Sequence, residues 1–383
     1  MATPSRPHDR GSFEIAIICA LSLEASAVID LFDAYWEDEE DIYGRATGDP
    51  NAYTTGVIGG HNVVVAHMPG MGKVNATAVA LGLRNSYINI KLALIVGICG
   101  GVPFGLHQQH IYLGDIIISR SLVQYDFGRR YPEAFERKDT IEDCLGKPPV
   151  EIRSFLNKLE TDHHYRRIQD NTRRYLELRQ QESESSIYPD ADVDRLFASS
   201  YLHQHDSQAC DKCRGRDGTQ ICADALKMTC SDLGCDRRGL LRRERQRKSQ
   251  ERKTTGNLEM FSPSIHIGSM GSGDTVMKSG MHRDEIAKND GIIAFEMEGA
   301  GVWDYYPSLV IKGVCDYADS HKNKEWQRYA ANAAAACAKA ILKDWPSRRE
   351  QGQEVITRGT EAEAEAVNAS SKSNSWFLGG DLR

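Results

Sequence analysis

No stretch of the 383-residue chain approaches the roughly 18 consecutive apolar residues that a membrane-spanning helix needs, and the polar residues 1–10 contain no apolar stretch of the signal-peptide kind. A membrane partner is therefore not expected. The chain reads as intracellular: cytoplasmic, or nuclear if a basic segment described below acts as an address. Basic charge is not in excess, with 47 Lys plus Arg against 54 Asp plus Glu and a formal net charge of −7. A dedicated nucleic-acid binder needs a basic surface for the phosphates, so that class is disfavoured. A P-loop is missing as well. PGMGKVNA (69–76) has Val74 after Lys73, and His67 stands where the first glycine of GxxxxGK[ST] would be. What the chain does have is ordinary globular composition, 40% hydrophobic and 26% charged, and enough length for two domains or one large unit with an insertion.

The apolar runs alternate with helical periods. Residues 14–21 read as a strand, and Ser22 reads as the N-cap of a helix whose apolar face is Leu23, Ala27, Val28, Leu31 and Phe32. Gly59-Gly60 predicts a two-residue hairpin turn. A helix over 73–87 leads to a strand at 92–96, a glycine-rich turn at 97–101 and a short strand at 115–119. The pattern resumes with strands near 265–270, 292–295 and 308–314, separated and followed by helices. Such βαβ alternation predicts an α/β, three-layer fold: a central mixed, largely parallel sheet covered on both faces. Ligands in such sheets sit beyond the strands' C-terminal ends. The expected catalytic domain comprises residues 11–128 and 262–346. Residues 129–261, charged and with few apolar periods, read as a long Cys-rich insertion in one loop. Residues 347–383 are too polar to bury and read as a disordered tail.

Three turns place carboxylates just past buried strands: Glu24 after the first, Glu296 and Glu298 in FEMEG (295–299), and Asp316 and Asp319 in VCDYAD (314–319). Each alone has a plain structural reading as a helix-start acid complementing the dipole or capping the first turn. Three at one sheet edge point to a site.

The ordered set ICALSLE, PGMGKVNA, VGICGG, LGDIIIS, SMGSGD, FEMEGAG and CDYADSH resembles the nucleoside phosphorylase and nucleosidase superfamily. Within it the chain closely resembles the 5′-methylthioadenosine/S-adenosylhomocysteine nucleosidases, and still more the superfamily's fungal branch, which occurs alone or as the N-terminal domain of multidomain NLR-like proteins. It covers about residues 13–128 and 263–345. The resemblance implies roles residue by residue. Glu298 would hold ribose hydroxyls with Met297 against the sugar and Glu296 beside them. Asp316 would face purine N7 and the 6-substituent, and Glu24 would orient the attacking water. Ser272, Gly273 and Asp274 would form the turn beside the base, and Gly100 belongs to the substrate-binding set. It also implies a homo-oligomer, expected as a dimer, in which a neighbouring subunit completes the 5′ end of the pocket.

Cleaving an N-glycosidic bond builds positive charge on the sugar and negative charge on the purine, so an acid at N7 and carboxylates near the ribose both suit the transition state. Phosphorylases of the superfamily surround their phosphate with cations and a hydroxyl, because a dianion wants donors. Here Glu24 stands in the first turn, and Ile95, Val96 and Ile98 stand in the second. Water is thus the expected nucleophile and the expected activity is a purine nucleoside N-ribohydrolase, adenosine-like substrates favoured, with no cofactor for catalysis. Lys312, four residues before the N7 acid, replaces the arginine usual in the nucleosidases with a point charge. Phosphorolysis and a non-catalytic nucleoside-sensing domain are the alternatives.

In the insertion, Cys210-x2-Cys213 followed by Cys222, Cys230 and Cys235 has a ligand-like first pair, and four of the five would suffice for one structural zinc, with His203 or His205 in reserve. Free cysteines and disulfides are the competing readings. Nine basic residues in 237–253 read first as a solvated arm.

Overall fold

The computed structural model describes residues 5–36, 42–105, 109–205, 210–214, 221–235, 239–255 and 262–346. Chain order begins with β1 (Ile15–Cys19), α1 (Ser22–Ile29), β2 (Ala34–Tyr35), β3 (Ala52–Ile58), β4 (His61–His67), α2 (Lys73–Ser86), β5 (Leu92–Gly101) and β6 (Ile116–Gln124). The insertion follows with β7 (Gly128–Arg130), β8 (Phe135–Arg137), α3 (Val150–Leu159), α4 (Asp162–Glu182), α5 (Asp211–Arg214), α6 (Cys230–Leu233) and α7 (Glu244–Thr255). β9 (Ile265–Ser272), α8 (Gly280–Asp290), β10 (Ile292–Glu296), α9 (Gly299–Val302), β11 (Ser308–Asp316) and α10 (Gln327–Asp344) complete it.

One mixed sheet runs in the order β10-β9-β6-β11-β5-β1-β4-β3-β2, and β10 also pairs antiparallel with β5 through Ala294–Gly101 and Phe295–Gly100. Strands β5, β11, β6, β9 and β10 therefore close into a ring, with β1 and β4 extending it in parallel. Closure brings the ends of β5, β10 and β11 together, which is what assembles the site. The β3–β4 turn has both glycines at positive φ, Gly59 at 62° and Gly60 at 88°, as a two-residue hairpin requires.

Two local expectations are corrected. Residues 97–101 are not a turn: β5 runs through them, its glycines allowing close approach of neighbouring groups on both sides of the strand. The α1 N-cap is Leu21, not Ser22, because the Glu24 carboxylate reaches back to the Leu21 backbone N–H and fixes the start one residue earlier. The insertion lies within the compact unit of residues 1–344. Its helix α4 packs on α10, and Arg179 Nη2 lies 2.6 Å from Asp30 Oδ2.

The basic segment is likewise only partly a solvated arm. Arg243 is buried against Asp194 Oδ1 at 3.0 Å, donates to the Tyr317 hydroxyl and lies over the Tyr112 ring at 4.1 Å. Arg245 Nη2 meets buried Asp115 Oδ1 at 2.5 Å, and His266 Nε2 lies 3.0 Å from Asp115 Oδ2. Lys248 and Arg247 make exposed pairs with Glu244 and Glu251 one turn away. Arg237, Arg238 and the 347–383 tail lie outside the described residues. Among the described residues no helix is long and apolar enough to cross a membrane.

Candidate active site

A cavity of about 530 Å³ opens at the ends of β1, β5, β10 and β11. Its floor is built around one cation. Lys312, 1% exposed in the middle of β11, points its Nζ at Glu298 Oε2, 2.8 Å away. Burial alone would lower the lysine's pKa, but Glu298, then Glu24 and Glu296, overcome it and drive the value well above normal, so the ammonium is fixed. Glu298 sits at the start of α9, and its other oxygen is 3.5 Å from the Gly72 backbone N–H.

Glu24 is held by three backbone N–H groups: Ala20 and Leu21 donate to Oε2 at 2.9 Å each, and Ile98 donates to Oε1 at 2.8 Å. A Cβ on Gly97 would land on this carboxylate, so the glycine is what lets Glu24 lie against β5. Burial raises the Glu24 pKa, opposed by Lys312. The structural reading of Glu24 as a helix-start acid is thus correct in part, since Oε2 accepts the backbone N–H of the N-cap residue Leu21. Glu296 lines the cavity too, but its oxygens accept the backbone N–H groups of Glu298 at 3.0 Å and Gly299 at 2.9 and 3.1 Å, so it serves chiefly to start α9; burial raises its pKa.

At the opposite end Asp316 Oδ1 accepts the Ala318 N–H at 2.9 Å, while Oδ2 faces Lys322 Nζ at 3.1 Å. Burial opposes the Lys322 charge, and Asp316 outweighs it, so the lysine's pKa is raised. Lys322 lines the cavity, and sequence reasoning missed it. The available signal was a lysine in the same turn, directly after CDYADSH.

Of the residues expected at the site, Glu24, Gly100, Glu296, Met297, Glu298 and Asp316 border the cavity, with Lys312 beneath it. The structure does not bring Ser272, Gly273 and Asp274 there. The Ser272 hydroxyl is fully buried and accepts the Ala300 N–H at 3.0 Å, and Gly273 abuts the Tyr125 ring. Asp274 Oδ1 accepts the Lys73 N–H at 2.7 Å, capping α2 from a distant turn. The segment just after it, Thr275 through Lys278, forms the wall instead. The Asp274 cap also fills the position where a helix start would cradle a phosphate, and Lys73 Nζ is bound to Asp126 at 2.6 Å.

The five insertion cysteines do not share one centre, because two histidines and the chain path between them divide the set. Cys210, Cys213 and Cys222 gather with His205, and Cys230 and Cys235 face His203.

Comparison with known proteins agrees with the motifs. The sequence model of the Phosphorylase superfamily matches residues 14–175. A nucleotide-binding leucine-rich repeat (NLR)-like protein of Hyaloscypha variabilis is 29% identical over 337 residues, 86% of this chain. The chain spans 29% of that relative's length. Among solved structures, a 5′-methylthioadenosine/S-adenosylhomocysteine nucleosidase from Neisseria meningitidis is similar at 14% identity over 86% of this chain and 99% of its own, TM-score 0.49. The Streptococcus pneumoniae MTA/SAH nucleosidase is similar at 17% identity, 86% and 99% coverage and TM-score 0.48. Futalosine hydrolase of Helicobacter pylori follows at 14%, 87%, 98% and 0.48.

Proposed function

We propose that this chain hydrolyses the N-glycosidic bond of a purine nucleoside, adenosine-like, to free base and ribose. The observation that carries the reading is the grouping of Glu24, Glu298 and Asp316 around one cavity, with Lys312 buried among the first two. Glu298, held by the Lys312 ammonium, accepts ribose hydroxyls and faces the sugar as it becomes cationic. Glu24 has one oxygen with a single backbone donor, leaving room to accept from and orient a water. The two carboxylates would repel a phosphate dianion, which supports water as nucleophile. At the other end, proton delivery to the departing purine runs through the Asp316–Lys322 pair, the analogue of the leaving-group acid in O-glycoside hydrolysis.

A second reading rests on that same pair: an ammonium 3.1 Å from Asp316 occupies the carboxylate that would otherwise protonate the base, as suits a nucleoside-binding sensor without turnover. A panel of nucleosides incubated with the pure protein, with and without phosphate, tests both. Free ribose in phosphate-free buffer supports the hydrolase. Strict phosphate dependence with ribose 1-phosphate overturns it for phosphorolysis, and binding by calorimetry without product over hours overturns it for the sensor.

A further inference from the structure

We propose that the insertion holds two structural zinc-type ions, and that the second of them clamps the insertion to the turn carrying Asp316 and Lys322. In the first cluster His205 Nδ1 lies 3.5 Å from both Cys213 Sγ and Cys222 Sγ, and with Cys210 all four donor atoms fall within 4.8 Å of one another. In the second, His203 Nδ1 lies 3.6 Å from both Cys230 Sγ and Cys235 Sγ, and His321 brings a second imidazole nitrogen within 4.8 Å of the donor atoms of His203 and Cys235.

A tetrahedral ion with S at about 2.3 Å and N at about 2.0–2.1 Å separates neighbouring S and N ligands by about 3.5–3.6 Å. Both clusters show that spacing, twice each. Thiol hydrogen bonding does not account for it, since one nitrogen lone pair takes one S–H, not two. The surroundings also suit metal. His203 Nε2 lies 3.0 Å from the Met228 carbonyl, so that nitrogen carries the proton and Nδ1 is left as a donor toward the sulfurs. The Ala225 N–H points at Cys222 Sγ at 3.4 Å, as a thiolate favours. No disulfide joins any of the five cysteines.

The second cluster crosses a boundary. His203, Cys230 and Cys235 come from the insertion, whereas His321 directly precedes Lys322. The His203 N–H also donates to Ser320 Oγ at 3.0 Å, and the His321 ring stacks on Phe197 at 3.9 Å between centroids. Cys230 and Asp316 border the same small crevice. The ion would therefore position Asp316 and Lys322 through His321; this part rests on the site reading above, whereas the metal count does not.

The test is elemental analysis of the full chain purified under reducing conditions, with a thiol titration in denaturant. Two ions per chain are expected in the wild type and one in each of His205→Ala and His321→Ala. Cobalt(II) exchanged into wild-type protein should give the intense visible absorption of tetrahedral thiolate sites, which keeps the count readable if a variant fails to fold. Nucleoside binding or turnover should fall in His321→Ala and persist in His205→Ala. No metal with ten reactive thiols overturns the proposal, as does no metal with fewer thiols, which would mean disulfides. One ion per chain, lost in both variants alike, overturns the second site. Two ions with no turnover by any protein would leave the metal proposal standing and sink the hydrolase reading.

Discussion

The two ends of the cavity are built differently. The end with Glu24, Glu298 and Lys312 is made wholly from sheet strands and the helices they start, with every charge tied to backbone N–H groups or to one buried ammonium. The end with Asp316 and Lys322 is a loop leaving β11, and it is held from outside. Arg243 of the insertion binds the hydroxyl of Tyr317, next to Asp316, while His203 binds Ser320. On the proposed reading, the part that holds ribose and water belongs to the scaffold, and the part that meets and protonates the base belongs jointly to scaffold and insertion. On that reading an inserted segment can reach the base end without disturbing the ribose end.

The largest test of this contrast is substitution at both ends. Asp316→Asn should lower turnover by about 10²–10⁴-fold, the usual range for a lost general acid, and Glu24→Gln should abolish hydrolysis while ribose-product binding, followed by calorimetry, survives. Equal rates in wild type and either variant would remove that residue from the mechanism. Next, Lys312→Met and Arg243→Met each strip a cation from a buried pair, a change that costs about 3–5 kcal/mol of stability. Denaturant melts should show both losses. Only Arg243→Met should keep the ribose end intact, seen as weakened purine binding beside unchanged ribose binding.

A smaller effect is expected with pH. Burial pushes Asp115 up, but Arg245 and then His266 overcome it and hold the carboxyl below its ordinary range. A depressed carboxyl contributes stability that is fully present above its unfolded value of about 3.9 and is lost as pH falls further through the folded value. Acid melts should therefore steepen below about pH 4, and Asp115→Asn should flatten that limb. The smallest expected change is Asp274→Ala, which removes a cap from α2 at about 0.5–2 kcal/mol and should leave KM near wild type, because Asp274 does not border the cavity.

The scaffold was legible because its signals are local. Apolar runs of strand length followed by carboxylates put Glu24, Glu298 and Asp316 at strand ends, and the sheet places them there. The glycines of 97–101 misled because glycine marks both turns and close approaches, and here Gly100 accommodates Ala318 and Asp316 across the strand gap. The division of the cysteines was not legible at all. It depends on His203, His205 and the distant His321, and sequence spacing carries no record of which ring faces which sulfur. Arg243 and Arg245 escaped for the same reason: a run of basic residues looks solvated until the acids that bury two of them, Asp194 and Asp115, arrive from elsewhere in the chain.

The contact between Gly97 and Glu24 also constrains the order in which these two positions can change. A side chain at 97 has no space while a glutamate occupies 24, so a hydroxyl or cation cannot be introduced at 97 first. Position 24 has to shorten before that. The two positions are therefore epistatic. A library that randomises 97 alone should therefore return glycine.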